Sequence, residues 1–346
     1  MAGFYIHIPF CRKQCYYCDF HFTVSFKHLN KVIEAIKLEI IRRKKEFETV
    51  GFDTVYFGGG TPSILPVREL NSLFELIKMN FRLHSEPEIT LEVNPDDLTK
   101  EYLRELRAKS PVNRLSIGVQ SFDDHILRFL NRRHDSKAAV NSVKHAKKQG
   151  FENLNIDLIY GIPGTDVQAW NKNLELFGTL NIPHLSAYHL TIEPKTVFAY
   201  YRKKGKIKPV PEEESIRQFN LLTRFASENN YEHYEISNFA KRGFHSKHNL
   251  NYWNREAYIG IGPSAHSFDG RQRRWNVANN TKYYDSLLDH TDDYYESEEL
   301  DKKTAFNEYL MTSLRTIGGI DGKYLAGHFG EEFSADFEKD IKRFVE

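Results

Sequence analysis

All three cysteines of this 346-residue chain lie within eight residues, at positions 11, 15 and 18. An odd number of cysteines cannot pair off completely in disulfides, and spacings this short favour chelation of a metal. Scattered cysteines would instead be interpreted as small buried hydrophobic residues. The stretch YIHIPFCRKQCYYCDF, residues 5–20, therefore predicts one metal centre bound by Cys11, Cys15 and Cys18. The chain has to fold so that it supports this metal-binding loop.

Two kinds of centre fit three clustered thiolates. A structural zinc ion takes four ligands, and the fourth would have to come from elsewhere, for example from His7 or His21. An iron–sulfur cubane is usually held by four thiolates, so three would leave one iron open to a substrate or cofactor. The C-x3-C-x2-C spacing, with Tyr17 just before the last cysteine, resembles the radical S-adenosylmethionine (SAM) signature. This resemblance implies a [4Fe–4S] cluster whose open iron is chelated by SAM.

The composition is ordinary for a soluble globular protein, with 40% hydrophobic and 27% charged residues. The net charge of +1 gives no reason to expect nucleic acid or an anionic membrane as a partner. There is no apolar run long enough to span a bilayer, and residues 1–10, MAGFYIHIPF, contain no export signal. Because clustered reduced thiolates fit the cytoplasm, we expect a cytoplasmic protein that meets membranes only through its partners.

The first two-thirds of the chain alternate short apolar runs with amphipathic helical patterns, which predicts a parallel sheet of βα units. Six strands are expected: Phe4–Ile8, Asp53–Phe57, Glu88–Val93, Arg114–Val119, Asn153–Gly161 and His184–Leu190. Six units fall short of the eight that close a full barrel. The predicted fold is therefore an open, partial (β/α)6 barrel of the α/β class, with its site where the carboxyl ends of the strands meet.

We expect residues 1–205 to form the partial barrel and residues 206–346 to form a smaller α+β or helical domain associated with haem. The charged stretch RKKGKIKPVPEEE, residues 202–214, contains Gly and Pro and predicts the connection. Helices of the second domain are expected at Ser215–Asn229, Lys303–Thr316 and Ala335–Val345. A loop is expected at Arg242–Asp269. Because the chain stops inside a helical pattern, we expect this domain to be incomplete at its C-terminus.

Glycine and polar residues follow several of the predicted strands. The second strand runs into GGGTP, residues 58–62, where glycine permits positive φ and close approach of the backbone to a ligand. Alone, such a run is also consistent with a simple tight turn. Glu92, Gln120, Arg132 and Asp157 are each more often ordinary solvated or paired side chains. If they lie in one site, a carboxylate side chain could accept hydrogen bonds from ribose hydroxyls. The guanidinium of the arginine could bind the carboxylate of a ligand through two hydrogen bonds.

These residues lie in four short stretches, LEVNPDD, SIGVQSFDD, LNRRH and NIDLIYGIPG. The stretches closely resemble motifs of the oxygen-independent coproporphyrinogen III oxidase family. The resemblance extends from residue 4 to about residue 325 and includes GIGPSAHSF, residues 260–268, and NEYLMTSLRTIGGID, residues 307–321. It implies a set of residues that contact SAM, each carried over by its own motif. They are Tyr5, Tyr17, Gly59, Gly60, Thr61, Glu92, Gln120, Arg132 and Asp157.

Two departures indicate the haem chaperone branch of that family rather than its oxidases. The oxidases carry a further cysteine two residues after the third, where this chain has Phe20, and a longer segment ahead of the cluster. The haem chaperone branch carries an H-N-x-x-Y-W motif, which is complete here at residues 248–253. The resemblance implies haem contacts with His248, Asn249, Tyr252 and Trp253, since imidazole can ligate haem iron and aromatic rings can pack on a porphyrin. The alternative is that the histidine forms hydrogen bonds within a loop and the aromatic residues fill the core.

The resemblance predicts a cytoplasmic haem chaperone that binds the cluster, SAM and haem. It also implies delivery of haem to haem-requiring, membrane-bound respiratory proteins. The principal alternative is a coproporphyrinogen III dehydrogenase, in which a SAM-derived radical starts oxidative decarboxylation of propionates. A radical SAM enzyme for another substrate and a structural zinc protein also stay open. No residue is assigned a catalytic role, and a homodimer is expected from the family only.

Overall fold

The structure is a computed structural model that describes residues 2–345, with side chains through residue 342. Its strands, numbered along the chain, are β1 (Ala2–Ile8), β2 (Gly51–Gly59), β3 (Arg82–Val93), β4 (Arg114–Gln120), β5 (Asn153–Tyr160), β6 (His184–His189), β7 (Glu232–Glu235), β8 (Asn238–Ala240), β9 (Ala257–Ile261), β10 (His266–Phe268), β11 (Gln272–Asn276) and β12 (Tyr295–Glu299). They form one sheet in the order β12-β11-β10-β9-β1-β2-β3-β4-β5-β6-β8-β7. The α/β fold with an open sheet is therefore confirmed.

Strands β1 to β6 are the six expected from the sequence, and neighbours in the chain are neighbours in the sheet. Every pair among them is parallel. A parallel connection needs a crossover, which is usually a helix. The long amphipathic stretches between the strands supply these crossovers, so each strand delivers its carboxyl end to the same edge.

The two faces of the parallel strands differ in polarity. In β4, Leu115, Ile117 and Val119 are buried in the hydrophobic core, whereas Ser116 and Gln120 face a cavity on the other side. Successive side chains of a strand point to opposite faces, so this alternation separates an apolar outer layer from a polar interior. The helices cover the apolar layer, and the polar face is left to form a site.

The helices are α1 (Leu29–Arg42), α2 (Val67–Asn80), α3 (Lys100–Lys109), α4 (Asp124–Phe129), α5 (Ser136–Lys148), α6 (Val167–Leu180), α7 (Val197–Lys203), α8 (Glu212–Glu228), α9 (Lys247–Trp253), α10 (Asn280–Leu288), α11 (Lys302–Ser313), α12 (Gly322–Phe329) and α13 (Glu331–Val345). Several begin at a side-chain cap: Thr99, Asp135 and Asp166 accept a backbone N–H of the first turns of α3, α5 and α6. Such caps satisfy N–H groups that have no partner within the helix. These crossover helices therefore begin where the sequence supplies a capping side chain.

The second half of the chain extends both edges of the parallel sheet. Strand β9 pairs in parallel with β1, and β8 pairs antiparallel with β6. The expectation of a loop at Arg242–Asp269 was wrong, because α9, β9 and β10 lie within that range. These elements are short, and β9 is held in the sheet by pairing with β1, which lies far away in the sequence. A pattern read along the chain does not contain that partner.

The C-terminal helices α11 to α13 pack around a small apolar cluster of their own, formed by Phe306, Leu325 and Phe329. The division of the chain at residue 205 stays a prediction, since strands from beyond it continue the same sheet. Among residues 2–345, no helix combines the length and the apolar character that crossing a membrane would need.

Candidate cofactor site

One cavity of about 490 Å³ opens at the carboxyl ends of the parallel strands. The loop after β1, the turn after β2 and inward side chains of β3 to β6 line it. Most residues predicted from the sequence lie in its wall: Cys11, Cys15, Tyr17, Cys18, Gly59, Gly60, Thr61, Glu92, Gln120, Arg132, Asp157 and Asn249. Of the remaining predicted residues, Tyr5, His248, Tyr252 and Trp253 are not part of the wall.

Backbone hydrogen bonds close the cysteine loop at its base. The N–H of Cys11 donates to the carbonyl of Thr23 at 3.0 Å, and the N–H of Thr23 donates to the carbonyl of Pro9 at 2.9 Å. Within the loop, the N–H of Cys18 donates to the carbonyl of Cys15 at 3.3 Å. All three cysteines are free thiols and only partly exposed. The loop therefore presents three thiols to one cavity without secondary structure of its own.

Two neighbouring side chains donate hydrogen bonds to the cysteine sulfurs. The hydroxyl of Thr61 lies 3.4 Å from Cys11 Sγ, and Nη1 of Arg132 lies 3.3 Å from Cys15 Sγ. Burial raises the pKa of Cys11 to about 11 and that of Cys18 to about 12. Without a bound cation these two thiols are neutral at physiological pH. A metal centre would deprotonate them outright, and the donors from Thr61 and Arg132 would then stabilise thiolates.

The arrangement of donors suits a cluster better than a single ion. Within the described part of the chain, no three His, Cys, Asp or Glu side chains stand close enough to share one metal ion. A cubane does not need such convergence, because each thiolate binds a different iron. His7, considered above as a fourth zinc ligand, has Nδ1 3.0 Å from the Tyr5 hydroxyl and Nε2 2.9 Å from the carbonyl of His21. Both of its nitrogens are thus occupied by protein groups.

The GGGTP turn connects the cysteine loop to the end of β2. Gly59 has φ = +103°, a conformation that side chains with a Cβ rarely adopt. A Cβ on Gly60 would lie 2.7 Å from the carbonyl oxygen of Phe10 and 2.8 Å from that of Ile8. This close approach lets the N–H of Gly60 donate to Ile8 at 2.9 Å and the N–H of Thr61 donate to Phe10 at 2.8 Å. The glycines therefore allow the end of β2 to hydrogen-bond to the residues that lead into the cysteine loop.

Two partly buried carboxyl groups face the cavity from β3 and β5, the strands on either side of β4. Glu92 accepts from the Tyr56 hydroxyl at 2.8 Å and from the Gly59 N–H at 3.1 Å. Burial raises its pKa to about 7, although these two hydrogen bonds oppose the shift. Asp157 accepts from Nδ2 of Asn155 at 2.7 Å, and burial also raises its pKa. The pair offers oxygen acceptors on one wall, which is the chemistry that ribose hydroxyls require.

Arg132 links the end of β4 to the cysteine loop. Its Nη2 donates to the carbonyl of Gly118 at 2.6 Å and to Oδ1 of Asn94, while Nη1 approaches Cys15. Only Nε is buried without a hydrogen-bond partner. Gln120 enters the cavity from a bulge in β4, where its φ is +70° and the register with β5 shifts. The bulge turns the amide out of the strand and into the site.

His248, placed by sequence in the H-N-x-x-Y-W motif, is buried behind the cavity wall. Its Nδ1 lies 2.7 Å from Thr54 Oγ1 and its Nε2 lies 2.9 Å from the Tyr252 hydroxyl. Burial lowers its pKa to about 3, so the ring is neutral at physiological pH. Tyr5 also stays behind the wall, stacked on the His248 ring with 6.3 Å between centroids. The predicted haem contact of His248 stays a prediction, because both nitrogens are engaged in this structure.

The sequence analysis missed several residues that line the same cavity. They are Tyr56, Asn94, Arg114, Ser116, Asn155 and Ser186. A signal for most of them exists in the sequence, since polar residues recur at every second position of strands that are otherwise apolar, as in RLSIGVQ, residues 114–120. In a sheet covered by helices on its apolar face, this period of two indicates a solvated or ligand-binding interior.

Comparison with known proteins gives a consistent result. The family description "Radical SAM superfamily" matches residues 5–177. The haem chaperone HemW of Bacillus subtilis is 34% identical over 348 residues, covering 100% of this chain and 92% of that protein. The haem chaperone HemW of Lactococcus lactis is 36% identical over 335 residues, covering 97% of this chain and 86% of that protein.

Among solved structures, coproporphyrinogen III oxidase (HemN) from Escherichia coli, a radical SAM enzyme, superimposes with a TM-score of 0.85. The sequences are 25% identical, and the match covers 99% of this chain and 81% of that one. The chain is thus similar along nearly its whole length both to proteins named haem chaperones and, in fold, to a coproporphyrinogen III oxidase.

Proposed function

Because the chain belongs to the radical SAM superfamily and, within it, to the haem chaperone HemW family, we propose that it is a haem chaperone that carries a [4Fe–4S] cluster and SAM. The observation that carries the proposal is the single cavity in which the three cysteines meet the predicted SAM residues. In it, Cys11, Cys15 and Cys18 would hold the cluster. The cluster, when bound, supplies an iron that SAM can chelate and an electron that can cleave SAM.

Other residues of the chain would orient SAM. Glu92 and Asp157 would accept hydrogen bonds from ribose hydroxyls, and the GGGTP backbone would border the methionine amino group. Arg132 would balance charge beside the cysteine loop, because its guanidinium already contacts Cys15 Sγ at 3.3 Å. Tyr5 would act from behind the wall through Tyr56, whose ring centroid lies 6.1 Å from its own and which lines the cavity. Tyr17, Gln120 and Thr61 complete the proposed set.

The proposed haem contacts are His248, Asn249, Tyr252 and Trp253. Ligation of haem iron by His248 would require its hydrogen bonds to Thr54 and Tyr252 to break. Delivery to membrane-bound respiratory proteins, a cytoplasmic location and a homodimer belong to the same proposal. The names of the relatives support the haem role in general terms.

The test is a titration of haem into anaerobically reconstituted protein, followed by absorbance. The variants are wild type, His248→Ala and a control, His125→Ala, whose ring lies exposed on α4. We expect saturable one-to-one binding by wild type and by the control, and weakened or spectrally changed binding by His248→Ala. Unchanged binding by His248→Ala would assign the iron to another ligand. Absence of saturable binding by wild type would refute the chaperone proposal.

The alternative function is a coproporphyrinogen III dehydrogenase, which the fold of HemN favours. Against it stands Phe20, which occupies the place of the further cysteine of the oxidases and is 69% exposed at the cavity. Anaerobic consumption of coproporphyrinogen III by reconstituted protein would favour this alternative, and we expect none.

A further inference from the structure

Helix α9, which contains the H-N-x-x-Y-W motif, lies directly behind the cofactor cavity. It packs on β1 and β2, and the N–H of His248 at its start donates to Glu88 of β3 at 3.3 Å. The His248 side chain is only 2% exposed. A Cβ on Gly3 would lie 3.1 Å from Cε1 of that ring, so β1 leaves room for the imidazole where its sequence has no side chain.

A short series of contacts leads from this ring to the cavity. His248 stacks on Tyr56, with 4.8 Å between ring centroids and 23° between the planes. The Tyr56 hydroxyl then donates to Oε1 of Glu92 at 2.8 Å, and Glu92 lines the cavity. A Cβ on Gly58 would lie 2.9 Å from Cε1 of Tyr56 and 3.1 Å from Cδ of Glu92. The side chains of Tyr56 and Glu92 are therefore closely packed against the backbone of Gly58.

The imidazole is held at a defined angle. A neutral imidazole has one N–H donor and one acceptor nitrogen, and the hydroxyls of Thr54 and Tyr252 can each take the complementary role. Both buried ring nitrogens are therefore hydrogen-bonded, as buried polar groups generally are. The two hydrogen bonds fix the plane on which the Tyr56 ring rests, and Tyr56 in turn fixes one oxygen of Glu92.

The next residue of the motif reaches the cavity itself. Asn249 is part of the cavity wall, and its backbone N–H donates to the capping hydroxyl of Ser246 at 3.3 Å. The side-chain amide of asparagine carries both donors and an acceptor. The start of α9 therefore contributes one residue to the wall and one residue behind it.

We propose that His248 is a positioning residue of the SAM site, which acts through Tyr56 on Glu92, and that Asn249 contributes a polar contact to the bound ligand. The inference rests on the SAM placement proposed above and is independent of haem binding. It gives the H-N-x-x-Y-W motif a role in binding SAM. Loss of the imidazole frees the Tyr56 ring and, with it, the orientation of the Glu92 carboxyl.

The test measures SAM affinity of the cluster-loaded protein by equilibrium dialysis and the effect of SAM on the electron paramagnetic resonance spectrum of the reduced cluster. The variants are His248→Ala, Tyr56→Phe and the double variant. A matched control, Tyr231→Phe, removes another buried hydroxyl that donates to Ile182, outside the cavity wall. Iron content and thermal unfolding are measured for each.

We expect His248→Ala and Tyr56→Phe each to weaken SAM binding by about fivefold, since aromatic contacts and buried hydrogen bonds are each worth about 1 kcal/mol. The double variant is expected to lose no more than about twofold beyond the weaker-binding single variant, because both act through Glu92. The control keeps the affinity and spectrum of wild type. If His248→Ala does not fold, Thr54→Val releases Nδ1 at similar volume and is expected to weaken SAM binding severalfold.

SAM affinities of His248→Ala and Tyr56→Phe within about twofold of wild type would overturn the inference, as would equal losses in the control. The proposed function fails differently: wild-type protein would then bind no SAM or no haem. A His248→Ala variant that loses SAM affinity but keeps haem affinity supports the positioning role and leaves the chaperone proposal intact.

Discussion

Cys15 is the cysteine whose sulfur contacts a cation, the guanidinium of Arg132. We expect Cys15→Ser to lose most of the cluster, because a hydroxyl is a far poorer iron ligand than a thiolate and the remaining two cysteines cannot hold a cubane. Iron content and visible absorbance after anaerobic reconstitution measure the loss. Ser25→Ala, an exposed position on the same loop, serves as control. Full iron content in Cys15→Ser would contradict the proposed ligand set.

Glu92 makes the stability of the cluster-free protein depend on pH. Its pKa is raised from the ordinary value of 4.5 to about 7, mainly by burial. A raised carboxyl pKa stabilises the fold below pH 4.5, and this contribution is lost as the pH rises through about 7. Relative to Glu92→Gln, the wild-type free energy of unfolding should therefore fall by about 3 kcal/mol over that window. Urea unfolding at both ends of the window measures it, and a difference that is independent of pH would contradict the assignment.

Single residues of the site were predictable only where a motif surrounded them. Glu92, Gln120 and Asp157 stand in recognisable settings, and the structure brings them to one cavity. Arg114 has no such setting, yet it is 2% exposed, lines the cavity and has an unpartnered Nε. Apart from the period of two in RLSIGVQ, residues 114–120, nothing in the sequence marks this arginine as a residue of the site.

The turn after β2 is the element on which the geometry of the site depends most. We expect Gly60→Ala to destabilise the protein by about 2 kcal/mol, because the new methyl meets backbone atoms that cannot move aside. Cluster content should fall with it, since the same backbone anchors the cysteine loop. Chemical unfolding and iron analysis measure the two effects.

Gly327→Ala is the matched control for that substitution. Gly327 lies inside α12, and a Cβ there would meet nothing within 4 Å. Alanine in a helix interior should leave stability unchanged or raise it by up to about 1 kcal/mol. Equal stability of the two variants would show that the turn tolerates a side chain.

Elements were predictable where local pattern and tertiary role agree. The six parallel strands and their crossover helices follow from alternating apolar runs and helical periods. Strands β7 to β12 were missed, because most have only three to five residues and pair antiparallel at the sheet edges. Helix α9 was missed for a similar reason: seven residues with a histidine and two asparagines carry little helical signal.

At the scale of the molecule, the predicted boundary at residue 205 can be tested by truncation. Residues 1–205 alone would leave β1 and β6 as unpaired edges and would lack α9 behind the cavity. Because exposed edge strands promote aggregation, we expect this fragment to be insoluble or to bind no SAM. Sedimentation measures the solubility of the fragment, and equilibrium dialysis measures its SAM binding. Co-expression with residues 206–346 is the control. A soluble fragment with full SAM affinity would establish residues 1–205 as an independent domain.

The pairing of β1 with β9 has a consequence for biosynthesis. Strand β1 leaves the ribosome well before β9, so Ala2–Ile6 must wait for Ala257–Ile261. At about 5–20 residues per second, that interval is on the order of tens of seconds. Throughout it, the cysteine loop is already synthesised while α9 and one side of the sheet do not yet exist. The nascent protein therefore passes through a long open state, in which the three thiols are present before the wall behind them is complete.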